Sequence, residues 1–497
     1  MSAEASRHPR TYGGWRRTRG LGLFGLGPVS TIVVLACVLL PLLAGAASLR
    51  AGALASLPSL VVMALTLARV DGVGVGSLLH RRLRWAWASV RGYRTFLSGP
   101  VVDHRHAWSL PGSLASTELL SVDDGRGGKF AIVWDRRSGL LTATLLCAAA
   151  STWLVDGDEA DGWVGNWHSW LASLGYLPMV RWVTVTVDTA PEPGMTLRDN
   201  VFSKVSPSAP RDVTRLVHDL VQRSPAASAD IETRVSITFD TSRSSQRFTD
   251  PVERFTEVSR QLVGLESALT TCGVTVLRRA TAEDIAATVR TAYDPISRGE
   301  VERLLTGDPL ERDGVLGWAD SGPVAAEDRW DSYRHDSGFS VSWGWHEPPR
   351  QQVTSGILTR LMSPGRFVKR VSVLYRPLPA GQAARLLEEQ VNAAAFRDAY
   401  RRAQKRDETA RDIADRERAQ QAAREEAQGA GVVVMSVYVT ATVTDEAQLA
   451  GVVSEVEARA DQSKLRVRRL YGSQSVGFAT TLPLGVCPAH LATWSLT

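Results

Sequence analysis

The chain has 497 residues, 44% of them hydrophobic and 22% charged, with a formal net charge of +5. That length exceeds what one hydrophobic core serves, so two or three domains are expected beyond any membrane segment. Residues 1–95 hold twelve arginines against Glu4 and Asp71, a net of +10, which leaves −5 on the rest and excludes the cationic surplus of a nucleic-acid-binding surface there.

Two uncharged apolar stretches, Gly20–Leu49 and Ala51–Ala68, follow one another with only Arg50 between them. A bilayer core of about 30 Å takes roughly 20 apolar residues in a helix, because lipid offers no partner to an unpaired N–H or C=O. Both stretches meet that length, the second narrowly, and Pro41 and Pro58 inside them are tolerated better in lipid than in water. Arg7, Arg10, Arg16, Arg17 and Arg19 precede the first stretch, and Arg69, Arg81, Arg82, Arg84, Arg91 and Arg94 follow the second. Such flanks stay on the cytoplasmic side. The expected topology is therefore a two-pass hairpin in the inner (plasma) membrane with both termini cytoplasmic and the Arg50 turn outside.

Trp15, Trp85, Trp87 and Tyr93 sit near the apolar edges, where an aromatic ring straddles the headgroup layer. The membrane-interface residues are thus Trp15, Arg16, Arg17, Arg19, Arg81, Arg82, Arg84, Trp85 and Trp87, with membrane lipid as their partner. A signal peptide cleaved near Ala44, Gly45, Ala46 and Ala47 is the rival reading; the first run is too long for it and a second follows at once.

Beyond the membrane the chain reads as α+β. Ser121–Asp124, Phe130–Trp134 and Leu140–Cys147 are short strands separated by a Gly125–Gly128 turn and an Asp135–Gly139 loop. A helix over Asp158–Leu174 carries Trp163, Trp167 and Trp170 on one face, a core stripe. Arg181–Asp188 and Arg234–Asp240 alternate as strands around a helical stretch near Thr196–Arg223. Val252–Thr271 is an amphipathic helix, Val274–Arg278 a strand, and Ala282–Ala292 a helix ending before Asp294-Pro295.

The rhythm then recurs. Phe339–Trp345 and Arg366–Tyr375 are strands with a helix near Thr354–Leu361 between them; Trp343 and Trp345 share one strand face, as core residues do. Val432–Val443 is a β-branched strand, Ala447–Ala460 a helix, Leu465–Tyr471 a strand, and Phe478–Pro483 a candidate further strand. Two ferredoxin-like α+β units fit this order, with a single long sheet as the alternative. The expected division is a membrane hairpin over 1–95, a first cytoplasmic domain over 96–295 and a second over 296–497. The latter includes a long helical region, 382–428, which lacks Gly and Pro and becomes nearly all charge and alanine after Arg397. No apolar stripe buries that part, so it projects, bends back or serves as a partner-binding arm.

Little in the sequence carries chemistry. No GxxxxGK[ST] loop occurs; Gly125–Lys129 has the wrong spacing, and Gly72–Gly76 lacks the strand-turn-helix setting of a dinucleotide site. Asp103, His104 and His106 lack a fourth ligand for a metal. Asp294, Asp331, His335 and Asp336, or His346 with Glu347, form no recognisable nucleophile and base. Cys37, Cys147, Cys272 and Cys487 are too scattered for a zinc pattern, and the odd three beyond the membrane suit a reducing compartment. Only five of the 57 basic residues are lysine, which with the Ala, Gly and Val content fits a GC-rich coding bias. No enzyme, cofactor or metal is expected.

Two segments resemble known families. Phe24-Gly25-Leu26 through the apolar runs to Val70-Asp71-Gly72, followed by Arg81-Arg82-Leu83-Arg84-Trp85, resembles the PrgI-like two-helix inner-membrane subunit of conjugative type IV secretion systems. The C-terminal region is similar to the non-catalytic N-terminal domain of TraC-type conjugation ATPases. A charged helical region there leads into a hydrophobic strand, a helix, a basic strand and a Gln-x-x-x-Phe-x-x-x-Leu-Pro-x-Gly ending, matched here by Gln474, Phe478, Leu482, Pro483 and Gly485.

Together the two resemble an actinobacterial integral membrane protein family found beside conjugation-type ATPases. The resemblance implies a non-enzymatic inner-membrane scaffold that docks a separately encoded ATPase and meets other secretion-channel subunits. In the ATPases a motor domain begins soon after the Leu-Pro-x-Gly ending, whereas this sequence stops at Thr497, so ATP hydrolysis is not carried over. A homo-oligomer is compatible with this role. A type VII secretion-like membrane component and a membrane-tethered hydrolase are the alternatives.

Overall fold

The computed structural model describes residues 12–13, 28–70, 73–98, 110–125, 127–149, 155–191, 201–202, 204–206, 208–223, 229–306, 316–349, 351–403, 410–427 and 431–494. They fall into two compact units, one from Trp15–Arg94 with Val391–Asp412, the other from Met1–Gly14, Thr95–Gln390 and Ile413–Thr497.

In the first of these, two helices, Pro28–Ala47 and Leu49–Leu67, are long and apolar enough to cross a bilayer. The prolines at 41 and 58 lie inside them. The break is Ser48, not the expected Arg50: its backbone is extended and its hydroxyl accepts from Ala51 N at 3.1 Å, capping the second helix, so that Arg50 joins that helix's first turn. Small residues let the two backbones meet, since a Cβ on Gly52 would stand 2.7 Å from Gly45 Cα. No residue of the second helix is buried, and Ile32, Leu42, Leu43, Leu54 and Leu57 all face outward. The chain leaves through a minimal antiparallel pair, β1 (Arg69–Val70) with β2 (Val73–Gly74), into the helix Val75–Val90.

The second unit is built on one sheet. Its strands are β3 (Thr95–Leu97), β4 (Thr117–Asp123), β5 (Lys129–Asp135), β6 (Leu140–Ala149), β7 (Val180–Pro191), β8 (Ala229–Phe239) and β9 (Val274–Arg279). Then come β10 (Ala325–Asp328), β11 (Tyr333–His335), β12 (Gly338–Glu347), β13 (Val368–Pro377), β14 (Val433–Val443) and β15 (Arg466–Arg469). The order is β3-β10-β11-β12-β14-β13-β7-β8-β6-β5-β4, with β15 also beside β12 and β9 beside β6. Every pairing is antiparallel.

The sheet repeats itself. One half reads β9-β6-β8-β7 and the other β15-β12-β14-β13, and the two join through β7 and β13. In the first half the helix Gly157–Ser173 links β6 to β7 and Pro251–Leu269 links β8 to β9. In the second, Ser355–Leu358 and Thr359–Met362 are the only helical segments among the described residues between β12 and β13, while Leu449–Gln462 links β14 to β15. Arg279 on β9 reaches Glu266 at 2.5 Å; Arg469 on β15 reaches Glu457 at 3.0 Å. The same strand is thus tied to the same helix in both halves.

Alternation divides each strand between the sheet's faces. On the face covered by the helices Gly157–Ser173, Pro251–Leu269 and Leu449–Gln462, Val183, Val235, Ile237, Phe239, Leu262 and Leu265 form one core, and Trp343, Val371, Val439, Val453 and Val456 another. Tyr375 packs against both.

The expected strands from Arg181–Asp188 to Leu465–Tyr471 are present, and the halves expected on either side of residue 295 share this one sheet. One expectation is corrected. Phe478–Pro483 is not a strand: the helix Gln474–Thr480 occupies its start, because burial of Phe478 decides the local conformation over β propensity. The helix expected near Thr354–Leu361 is present as a 3₁₀ turn, Ser355–Leu358, followed by one α-turn, Thr359–Met362. The stretch near Thr196–Arg223 is helical at Val201–Phe202 and over Arg211–Arg223, with residues 192–200, 203 and 207 outside the described ones. The 382–428 region carries two helices, Ala380–Ala403 and Ala410–Ala427, and 404–409 are likewise outside.

Candidate functional site

The residues expected at the membrane interface are only partly among the described ones. Trp15, Arg16, Arg17 and Arg19 lie outside the described residues. Arg81, Arg82 and Arg84 are exposed on the helix Val75–Val90, Trp85 is half-buried and Trp87 exposed. The Arg94 guanidinium sits 4.6 Å from the Trp85 ring and Arg91 5.2 Å from Trp87, while Tyr93 meets Trp87 edge-on at 5.7 Å. Cation and ring are thereby held together, the pairing that suits a surface of phosphates above acyl chains.

The C-terminal motif residues are brought together in the sheet unit. The second face of the sheet carries Thr142, Thr144, Thr184, Thr186, Ser236, Thr238, Ser340, Ser342, Ser372, Thr440 and Thr442, all buried. A polar face can be buried only if its groups pair. They do: Thr142 meets Thr238 at 2.9 Å, Thr144 meets Ser236 at 2.9 Å, Ser342 meets Thr440 at 3.0 Å and Ser340 meets Thr442 at 2.7 Å.

The motif closes this face. Gln474 Oε1 accepts from Ser342 N at 2.7 Å, between β11 and β15, where β12 would otherwise have an unpaired donor. Phe478 is fully buried among Tyr293, Tyr333 and His335. Leu482 and Leu484 join the same core, and Pro483 is buried between them. Gly485 has φ +69°, and a Cβ there would stand 2.0 Å from Thr142 Oγ1, so only glycine fits.

At the centre of the face lies a charged group that sequence reasoning missed. Arg234 donates to Asp188 Oδ2 at 2.7 Å and to Glu232 Oε2 at 2.8 Å. Arg370, opposite Asp188 in the β13–β7 register, donates to Thr481 Oγ1 at 3.2 Å and lies over the Phe478 ring at 4.8 Å. Burial works to raise the Asp188 carboxyl, but the guanidiniums of Arg234, Arg370 and Arg298 outweigh it and hold it below the usual carboxylate range. Burial pushes Arg370 down to about 10. Among the described residues, Asp188 Oδ1, Arg234 Nε and Arg370 Nη2 have no hydrogen-bond partner. The signal available in the sequence was the charge closing one alternating run, Asp188, and that opening the next, Arg234, with Arg370 in the paired strand.

His335 is fully buried. Its Nδ1 meets Tyr293 O at 2.6 Å and its Nε2 meets Ser340 Oγ at 2.8 Å, and burial pushes its pKa down to about 4. Asp336 accepts from Val324 N and Ala325 N and pairs with Arg290, while Asp294 pairs with Arg290 and accepts from Ser337. These groups are tied into turns and the core. Among the described residues no group of three or more His, Cys, Asp and Glu could hold a metal ion; Asp103, His104 and His106 lie outside them.

No protein-family model matches this chain, and no curated protein is significantly similar to it.

Proposed function

We propose that the chain is a membrane-anchored, non-enzymatic scaffold of a conjugative type IV secretion-like apparatus, with a soluble platform that docks a separately encoded ATPase. The observation that carries this reading is the Gln474–Gly485 ending, whose five motif residues together close one face of the sheet. The stretch that resembles the non-catalytic domain of conjugation ATPases is thus an integral part of a folded platform. Each half of the sheet also has the strand order of a ferredoxin-like unit, the outer fourth strand beside the first and the third beside the second, which is the fold class the reading assigns to both. Two helices long and apolar enough to span support the anchor, and the arginine flanks support termini on the cytoplasmic side. With no GxxxxGK[ST] loop in the sequence, the reading places the motor in the partner.

Extraction in mild detergent followed by affinity purification is expected to recover an ATPase encoded beside this gene, together with other channel subunits. Recovery of the chain alone, or nucleotide turnover by the purified chain, contradicts the proposal. Protease added outside intact cells is expected to leave the sheet unit whole.

A further inference from the structure

The helix Val75–Val90 follows the apolar helix Leu49–Leu67 within eight residues. Val75 N donates to Ala68 O at 2.9 Å, and a Cβ on Gly76 would lie 3.4 Å from Leu65 O, so the new helix starts where the apolar one ends. Leu79, Leu83, Trp87 and Val90 recur at spacings of four, four and three, which puts them on one stripe. All four are exposed, at 45%, 62%, 55% and 88%. His80, Arg84 and Arg91 border that stripe on one side and Arg82 on the other, all of them exposed, and the helix contains no Asp or Glu. An apolar stripe edged by arginine, on a helix too polar to span, is the chemistry of a helix lying in the plane of a membrane surface.

We propose that Val75–Val90 lies flat on the bilayer that the hairpin crosses, with Leu79, Leu83, Trp87 and Val90 in the acyl boundary and Arg82, Arg84 and Arg91 on the phosphates of anionic phospholipids. The proposal rests on the hairpin being membrane-embedded. Continuity with that hairpin and the cationic border argue for lipid as the occupant, rather than another protein.

The test uses the full chain with Cys37→Ala, the other three cysteines being buried, reconstituted in vesicles of phosphatidylcholine with or without phosphatidylglycerol. A nitroxide is attached at Leu60→Cys, Leu83→Cys or His80→Cys, and its collisions with oxygen and with a nickel chelate are compared. Leu60 is expected deep in the acyl region, Leu83 shallow but oxygen-dominated, and His80 nickel-accessible. At Leu83 the ratio of oxygen to nickel collisions is expected to fall at least threefold when phosphatidylglycerol is omitted or when Arg82, Arg84 and Arg91 are changed together to Gln. A water-accessible Leu83 beside a deep Leu60 overturns the proposal and leaves the hairpin standing; a water-accessible Leu60 removes both. An oxygen-dominated Leu83 that ignores lipid charge and the arginine changes overturns the assignment to anionic lipid. Spin–spin broadening at Leu83 that disappears on dilution with unlabelled protein replaces the lipid by a second copy of the chain.

Discussion

Thr186 Oγ1 and Ser372 Oγ lie 2.7 Å apart, both buried, as directly opposed residues of β7 and β13. They mark the midpoint about which the two halves of the sheet repeat: on either side of the pair β8 and β14, then β6 and β12, follow in the same order. Each hydroxyl has displaced water at the core of the molecule, so each depends on the other.

Thr186→Val or Ser372→Ala alone leaves a buried hydroxyl without its partner and is expected to cost about 1–2 kcal/mol, read from denaturant unfolding of the detergent-solubilised chain. The double variant is expected to cost less than the two singles added, by about 1 kcal/mol. Strict additivity would show that the two hydroxyls do not interact in solution.

Gly485→Ala is expected to destabilise by roughly 2–4 kcal/mol, since the residue sits at φ +69° and the new methyl would meet Thr142 Oγ1. Gly165→Ala, in the helix Gly157–Ser173 with nothing within 4 Å of its Cβ position, is the control and is expected to raise stability by about 0.5–1 kcal/mol. Equal midpoints for the two variants would contradict the placement of the C-terminal segment on the sheet.

Gln474→Leu removes the acceptor for Ser342 N–H while keeping the side chain's bulk. The expected cost is roughly 1–3 kcal/mol. Hydrogen exchange resolved along β12 should accelerate at Ser342 first. Unchanged protection there would mean that the donor finds another partner.

The His335 ring has a folded pKa pushed from 6.5 to about 4 by burial, with Tyr293 O and Ser340 on its nitrogens and Arg370 and Asp294 nearby. Between those two values the unfolded chain takes up a proton that the folded chain refuses, so stability from this group is complete above pH 6.5 and falls as pH drops toward 4. The loss is at most roughly 3 kcal/mol. Unfolding midpoints measured from pH 7 to pH 4.5 should fall more steeply for the natural chain than for His335→Gln. Parallel curves would exclude His335 as the source of that slope.

The two apolar helices were legible because a helix able to cross lipid is defined by its length and composition, and the alternating runs RWVTVTVD and RVSITFD declared their strands by a pattern just as local. Alternation alone reads as a strand with one wet face. Here the Thr and Ser side of β7 and β8 is dry, because the C-terminal segment lies on it at Thr238 and Trp182 and the helix Ala282–Tyr293 meets Arg234 through Thr288, and only tertiary structure reveals that. β10 and β11 escaped notice because they are short, four and three residues, and carry too few alternating apolar residues to declare a strand, although each pairs with its successor in the sequence. The motif residues were found by resemblance; their common task, closing the polar face, follows from Gln474, Phe478 and Gly485 meeting three different strands or their cover.

Joining β7 to β13 has one more effect. In a lone half, the twelve-residue strand β7, paired only to β8, would present the outward N–H and C=O groups of its other edge as a template for runaway association between molecules. Here each half shields the other's most adhesive border, and the outermost members left at the two limits of the main sheet, β3 and β4, are three and seven residues long.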